Sequence, residues 1–534
     1  MIHRELSLLP MLPMLPFLAS PLLACSSSSS LLPDGGAVEV DVQQEKPDAR
    51  RDQLAPDRGP SPPSWGRCDE AGWFEGYHPP SAAVQCATLK VPLDASQPGG
   101  PTFDLRVARE KATSPVGAPR AIVHIAGGPG VSSIALSASL LHYLPGLTAD
   151  FDHLYVDLRG TGFSDALVCP GGAPSTKAEW EGCASGQGDR DLNHYLTLDG
   201  ANDLEHVRQR LGYDKLILDG GSYGTRVVLE YMRQHPERLA SAVLTSLAPP
   251  DWTYFSWMVK TVDQSVAGLV ARCNKDAACT ALVPDLAADL AARRQALKDS
   301  PRMVKVNGVP MAEDLEAFGV ILGAALDNPS TYFKTPRAIH AAVAGDNSLW
   351  NAIIGNVLGA SVKDASNLPK RRAPVQRLRP ARRWMSLGPD LLADALHAAV
   401  VCAEWLPNEA GIADLQKLAS QQTWGSPSDT ALAEACAAWK VNPVPASLRA
   451  PVTSSAKALL ITGELDLRTP VSLGEHTAAT LKNATHLVVP YAGHADEMAT
   501  NTCVNQIMTD FIKADGDIKA VDTSCLGKRT QPSW

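Results

Sequence analysis

The sequence predicts an α/β fold: a mostly parallel central sheet flanked by helices, with an inserted, mainly helical cap. Three observations carry this. Short apolar runs alternate with glycine-bearing turns and helix-like segments up to about residue 250, the pattern turns helical from 251 to about 445, and strand-like runs return after 446. Alternation of strand and helix implies parallel strands covered on both faces. At 534 residues the chain also exceeds one core of ordinary size, so an insertion is expected.

The strand candidates before the change are Ala121-Ile122-Val123-His124-Ile125, His153-Leu154-Tyr155-Val156, Lys215-Leu216-Ile217-Leu218 and Ala240 to Thr245. Thr225 to His235 reads as the helix after the third run. In the cap, Leu286 to Leu297 and Asp390 to Val401 are alanine- and leucine-rich helical segments. The returning strands are Ala458-Leu459-Leu460-Ile461 and His486-Leu487-Val488-Val489, so the core is discontinuous in sequence. The predicted division is 1–24 leader, 25–64 tether, 65–250 first part of the core, 251–445 cap and 446–534 second part of the core.

The leader begins with His3 and Arg4 and continues as an apolar run from Leu6 to Leu23, broken by Pro10, Pro13, Pro16 and Pro21. Each proline removes a helix hydrogen bond, which favours a cleaved signal peptide over a membrane span. Its end, Leu22-Leu23-Ala24-Cys25, resembles the bacterial lipoprotein signal, with Cys25 as the acylated residue, and five serines follow as a tether. Leu23 is bulkier than that pattern usually carries, so ordinary secretion stands as the alternative. From Ser26 to about Ser64 there is too little apolar surface to order a chain. Trp65, Cys68, Trp73, Phe74 and Tyr77 are the first core candidates.

Ten cysteines remain beyond Cys25: Cys68, Cys86, Cys169, Cys183, Cys273, Cys279, Cys402, Cys436, Cys503 and Cys525. An even number suits five disulfides in an oxidising compartment, with sequence neighbours expected to pair. None has the histidine spacing of a zinc site, so no metal or other cofactor is expected. A net charge of -9 leaves no basic footprint for nucleic acid.

The chemistry is expected at Gly220-Gly221-Ser222-Tyr223-Gly224, between a strand and a helix. That is the setting of a nucleophile elbow, and it points to the α/β-hydrolase fold. A serine needs a histidine base and an orienting carboxylate, in the chain order serine, acid, histidine for this fold. Asp466, just past a strand end in Ile461-Thr462-Gly463-Glu464-Leu465-Asp466, is the predicted acid; His494, in Tyr491-Ala492-Gly493-His494-Ala495, is the predicted base. Their rivals are Glu464, Asp496 and Glu497 for the acid, His476 and His486 for the base. Oxyanion donors are expected from the Tyr223 N–H and from the loop Gly127-Gly128-Pro129-Gly130, which lacks the lysine and spacing of a phosphate loop.

Together these stretches, with Asp157-Leu158-Arg159-Gly160-Thr161-Gly162-Phe163-Ser164, Thr225-Arg226 and Thr469-Pro470, resemble the proline iminopeptidase and tripeptidyl aminopeptidase family of α/β-hydrolase serine peptidases. The resemblance covers about 120–250 and 455–500. It implies hydrolysis of peptides with a free amino terminus through an acyl-enzyme on Ser222. Ala126 stands where the iminopeptidases usually have histidine, which brings the chain nearer to the secreted tripeptidyl branch. Asp157 and Arg159 are expected to brace the turn beside the site. The resemblance further suggests Glu404, in Val401-Cys402-Ala403-Glu404-Trp405, as the carboxylate that meets the substrate ammonium, with a surface salt bridge as the alternative, and a Cys402–Cys436 bridge holding that segment. The basic stretch from Lys370 to Arg383 reads as a solvated face or, less simply, as a contact for anionic lipid.

Overall fold

The computed structural model describes residues 63–68, 84–97, 99–140, 144–170, 172, 174–364, 376–377, 392–425, 428–495 and 501–534. The leader, Cys25, almost all of the tether, the early candidates Trp73, Phe74 and Tyr77, nearly all of the basic stretch, and Asp496 and Glu497 lie outside the described residues.

A nine-stranded sheet forms the core, in the order β1-β2-β3-β5-β4-β6-β7-β12-β13. The first three strands, β1 (Gly66–Arg67), β2 (Val84–Pro92) and β3 (Thr102–Glu110), are an antiparallel edge. β3 joins antiparallel to β5 (Asp152–Asp157), and from there the sheet is parallel through β4 (Arg120–Ile125), β6 (Lys215–Gly221), β7 (Leu239–Thr245), β12 (Ser454–Gly463) and β13 (Leu481–Val489). The parallel strands coincide with the apolar runs read from the sequence, because strands buried on both faces need near-continuous hydrophobic stretches. β2 and β3 escaped that reading: they alternate as half-buried edge strands do.

Helices α1 (Ser133–Leu140), α2 (Lys177–Gly186), α3 (Thr197–Leu211) and α4 (Tyr223–Gln234) follow the early strands. Between β7 and β12 the chain leaves the sheet for about two hundred residues, then returns so that Ala458 pairs with Ala242. This insertion begins with the 22-residue α5 (Tyr254–Lys275), α6 (Ala277–Leu282) and α7 (Leu286–Asp299). After a hairpin comes α8 (Leu315–Leu326). The insertion carries most of a second apolar cluster, which includes Phe318, Phe333 and Trp350 and is joined by Leu465 from the loop after β12.

It also holds a four-stranded sheet, ordered β10-β8-β9-β11, that a helical pattern did not foretell. Its strands are β8 (Arg302–Val306), β9 (Val309–Glu313), β10 (Val362–Asp364) and β11 (Gln376–Arg377). Asn307-Gly308 joins β8 to β9 with both residues at positive φ, 48° and 85°. That is the Asn-Gly hairpin turn whose backbone twist matches the strands it joins.

The ten described cysteines form five disulfides, Cys68–Cys86, Cys169–Cys183, Cys273–Cys279, Cys402–Cys436 and Cys503–Cys525. Every one joins sequence neighbours, as expected. Among the described residues, no helix is long and apolar enough to cross a membrane.

Candidate active site

The predicted nucleophile, acid, base and glycine loop come from segments that leave the carboxyl ends of parallel strands: Gly127 after β4, Ser222 after β6, Asp466 after β12 and His494 after β13. Open α/β sheets collect their sites at this edge, since only there do loops from several strands meet.

Ser222 lies at φ 55°, ψ -124°, in a region that side chains rarely adopt. Two tight approaches hold it there. Its N–H donates to the Thr245 carbonyl at 2.8 Å, and Gly224 sits so close to the Ile125 carbonyl that a Cβ would collide with it. Tyr223 opens α4, so its N–H belongs to the first turn, which has no intrahelical acceptor. Gly127 faces the serine: a Cβ there would stand 2.8 Å from Ser222 Cβ and 3.3 Å from its Oγ. The loop from Gly127 to Gly130 is closed by the Val131 N–H on the Gly127 carbonyl, and Ser133 Oγ accepts from the Ala126 N–H. A narrow cavity opens behind it between Gly127, Leu158, Tyr195, Tyr223 and Leu396.

Asp157 ties the turn after β5 to the start of α1, just beyond this loop, and Arg159 ties it to α3. Asp157 is fully buried and accepts from Ser132 Oγ and from the N–H groups of Ile134 and Phe163. Burial pushes its carboxyl up to about 6, with those donors pulling against the rise. Arg159 forks onto Asp203 and donates to the Leu93 and His194 carbonyls.

Asp466 and His494 are brought together. His494 Nδ1 stands 2.9 Å and 3.0 Å from the two Asp466 oxygens, and both residues are buried. Asp466 also accepts from the N–H groups of Arg468 and Thr469 and from Thr469 Oγ1. Burial alone would push the Asp466 carboxyl up, but His494 and these donors outweigh it and hold it below the usual range. For His494 burial acts downward, and the Asp466 carboxylate overcomes it, leaving the imidazole above its ordinary value. With Nδ1 turned to the carboxylate, Nε2 is the nitrogen left for chemistry. The next residue, Ala495, lies over the elbow, where a Cβ on Gly221 would be 3.7 Å from it.

The rivals have other partners. Glu464 binds Arg272 and accepts from the Tyr491 N–H, His476 meets Asp251 at 2.7 Å, and His486 meets Thr462 Oγ1 at 2.7 Å.

Glu404 requires a correction. It is only 1% exposed, on a single π turn (Val401–Trp405), and its oxygens accept from the Thr197 N–H and Oγ1 and from Arg226. The arrangement leaves no exposed carboxylate face for an ammonium. It is instead a buried ion pair, 2.7 Å from the Arg226 guanidinium, that ties the insertion to α3 and α4 directly beneath the elbow. Sequence reasoning gave Arg226 and Thr469 no part in this. The Asp-x-x-Thr spacing of a carboxylate turn was the signal for Thr469. No local signal marked Arg226.

A serine at positive φ between strand and helix, a glycine loop against it and a buried aspartate–histidine pair at the same sheet edge are an arrangement that the α/β-hydrolase fold provides. The family comparisons agree. Residues 120–314 match the alpha/beta hydrolase fold family, and residues 420–525 match the family of TAP-like proteins. Among curated relatives, the serine protease Hip1 of Mycobacterium tuberculosis is 29% identical over 222 residues, 36% of this chain and 42% of the relative. Tripeptidyl aminopeptidase of Streptomyces lividans is 28% identical over 210 residues, covering 34% and 39%, and proline iminopeptidase of Neisseria gonorrhoeae is 28% identical over 138 residues, covering 26% and 35%. The chain thus has the α/β-hydrolase fold and is similar to serine protease Hip1, the tripeptidyl aminopeptidases and proline iminopeptidase, and the matched part spans about two fifths of the length of Hip1.

Proposed function

We propose that the chain is an exported serine aminopeptidase that cleaves near the free amino terminus of peptides, of the tripeptide- or proline-releasing type, through an acyl-enzyme on Ser222. His494 takes the Ser222 proton through Nε2 while Asp466 holds Nδ1 and stabilises the imidazolium. The oxyanion that forms is met by the Tyr223 N–H and by an N–H of the Gly127-Gly128 loop. His494 then returns the proton to the leaving amine, and water repeats the sequence to free the acid. No cofactor enters these steps. The insertion acts as the cap over the sheet edge and bounds the length of peptide that can be admitted.

The observation that carries this reading is the buried His494–Asp466 pair on loops adjoining the Ser222 elbow. Five disulfides support an oxidising compartment, and the leader supports export with Cys25 as a membrane anchor. An esterase or amidase with the same three residues is the second reading, because acyl transfer to serine does not itself choose amide over ester. Its observation is the burial of Glu404, which removes the expected ammonium carboxylate.

A peptide-library digest with sequencing of products separates the two. Release of short amino-terminal fragments, lost on amino-terminal blocking, supports the aminopeptidase; indifference to blocking sinks it. Ser222→Ala should lower turnover about 10⁶-fold and abolish labelling by a fluorophosphonate. Mass analysis of the mature amino terminus tests the anchor, since an unacylated start other than Cys25 refutes it.

A further inference from the structure

The loop that carries Asp466 is gripped by the insertion. Trp257 Nε1 and Thr261 Oγ1, both on α5, donate to the Leu467 carbonyl at 2.9 Å and 2.8 Å. The next residue, Arg468, pairs with Asp327 at 2.5 Å, and Asp327 is the residue that closes α8. Asp327 is 8% exposed, and among the described residues its Oδ1 has no hydrogen-bond partner. Such a carboxylate makes no obvious sense as a structural tie, because a buried oxygen left unpaired costs stability. Its surroundings supply the sense: it lies within electrostatic reach of both His494 and Asp466.

We propose that Asp327 is a positioning residue for the base, neutralising Arg468 so that seating of the insertion on the Asp466 loop sets the proton affinity of His494. This rests on the reading of Ser222, Asp466 and His494 given above. Among the described residues three charged groups act on the imidazole: Asp466 and Arg468 from the loop after β12, and Asp327 from the insertion. Asp496 and Glu497, which follow His494 in sequence, lie outside the described residues. Arg272 and Glu464 pair with each other, and Glu464 also accepts from the Tyr491 N–H. Asp466 is fixed beside His494 by its own loop, so the variable part of the field is the Arg468–Asp327 pair. Arg468 alone opposes the imidazolium that forms when Ser222 gives up its proton. Asp327 favours it. Lifting the insertion would leave Arg468 facing His494 uncompensated and weaken the base; closing it restores the balance. Burial pushes the Asp327 carboxyl up, while the charges of Arg468 and His494 draw it back.

The test is the rate of Ser222 labelling by a fluorophosphonate as a function of pH, which reports the protonation of the base without dependence on a peptide substrate. Asp327→Asn should move the acid limb down, Arg468→Gln should move it up, each by roughly half a unit to one unit, and the double variant should return it towards the wild type. A tie that is only structural would slow labelling in both single variants without moving the limb in opposite directions. Folding of each variant is checked by its denaturant midpoint. Should Asp327→Asn not fold, the upward shift in Arg468→Gln decides alone, and should neither single variant fold, a double variant that folds with the wild-type limb supports the pair while one with a displaced limb refutes it. Limbs that stay in place, or move together, overturn the proposal. A wild type that does not label, or a Ser222→Ala variant that does, instead overturns the reading on which it rests.

Discussion

The insertion reaches the two halves of the site with one carboxylate each, and the two are treated differently. On the elbow side, Glu404 has its oxygens engaged by Thr197 and by the fork of Arg226. On the acid side, Asp327 meets Arg468 through one oxygen, and the other has no partner among the described residues. A buried carboxylate with its hydrogen-bonding capacity met is a rigid tie; one left partly open keeps its charge available to neighbours. The difference teaches that the nucleophile is held by geometry, whereas the base is held by geometry and tuned by charge.

The sharpest way to break this picture is on the elbow side. Gly127→Val puts a branched side chain where even a Cβ would meet Ser222 Cβ at 2.8 Å, so turnover should fall about 10²–10³-fold, the usual effect of losing one oxyanion donor. The fold should survive, since Gly127 lies in a loop at the sheet edge. Steady-state kinetics with a denaturation curve on the same sample checks both halves of that statement. Full activity would mean the oxyanion loop lies elsewhere.

Next in size, Glu404→Gln leaves the Arg226 guanidinium buried without its counter-charge and should cost about 3 kcal/mol of stability. The denaturant midpoint should drop while KM for free-amine and blocked substrates changes in parallel. A rise in KM confined to free amines, with the midpoint unchanged, would restore Glu404 to the substrate site.

The smallest effect is one of pH. The base works as neutral imidazole, and its proton affinity in the fold is above the ordinary value, so the acid limb of kcat/KM should lie above about pH 6.5. For stability the signs are opposite for the two partners. His494, raised on folding, stabilises below its unfolded value, and that contribution is lost as pH rises through the folded one. Asp466, lowered on folding, stabilises above its unfolded value and loses that contribution as pH falls through the folded one. The pair therefore supports the fold best between the carboxylate range and the imidazole range. A stability optimum outside that window would mean that other groups dominate.

Much of this is legible in the amino-acid sequence. Ser222 is marked by strand, glycine turn and helix, all of them local signals, Asp466 by its place just past an apolar strand, and His494 by a similar place with Gly493 directly before it. The five disulfides follow from a simple rule, pairing of neighbours, because each closes a loop of only 6 to 34 residues in separation. The edge strands β2 and β3 and the insertion's small sheet were missed, although Asn307-Gly308 carried a hairpin signal.

What the sequence by itself determined, then, is the parallel part of the sheet, the turn that exposes Ser222 and the order of the residues that follow it. These depend on neighbours in the chain: apolar periodicity, glycine at a crowded turn, acid and histidine past strand ends. Only the tertiary structure decided what Glu404 and Asp327 do. Glu404 lies 178 residues from Arg226 in the chain and Asp327 lies 141 from Arg468, and no periodicity links positions so far apart. A carboxylate written in sequence can meet an ammonium, a guanidinium or water; which it meets is settled by the packing that removes the other two.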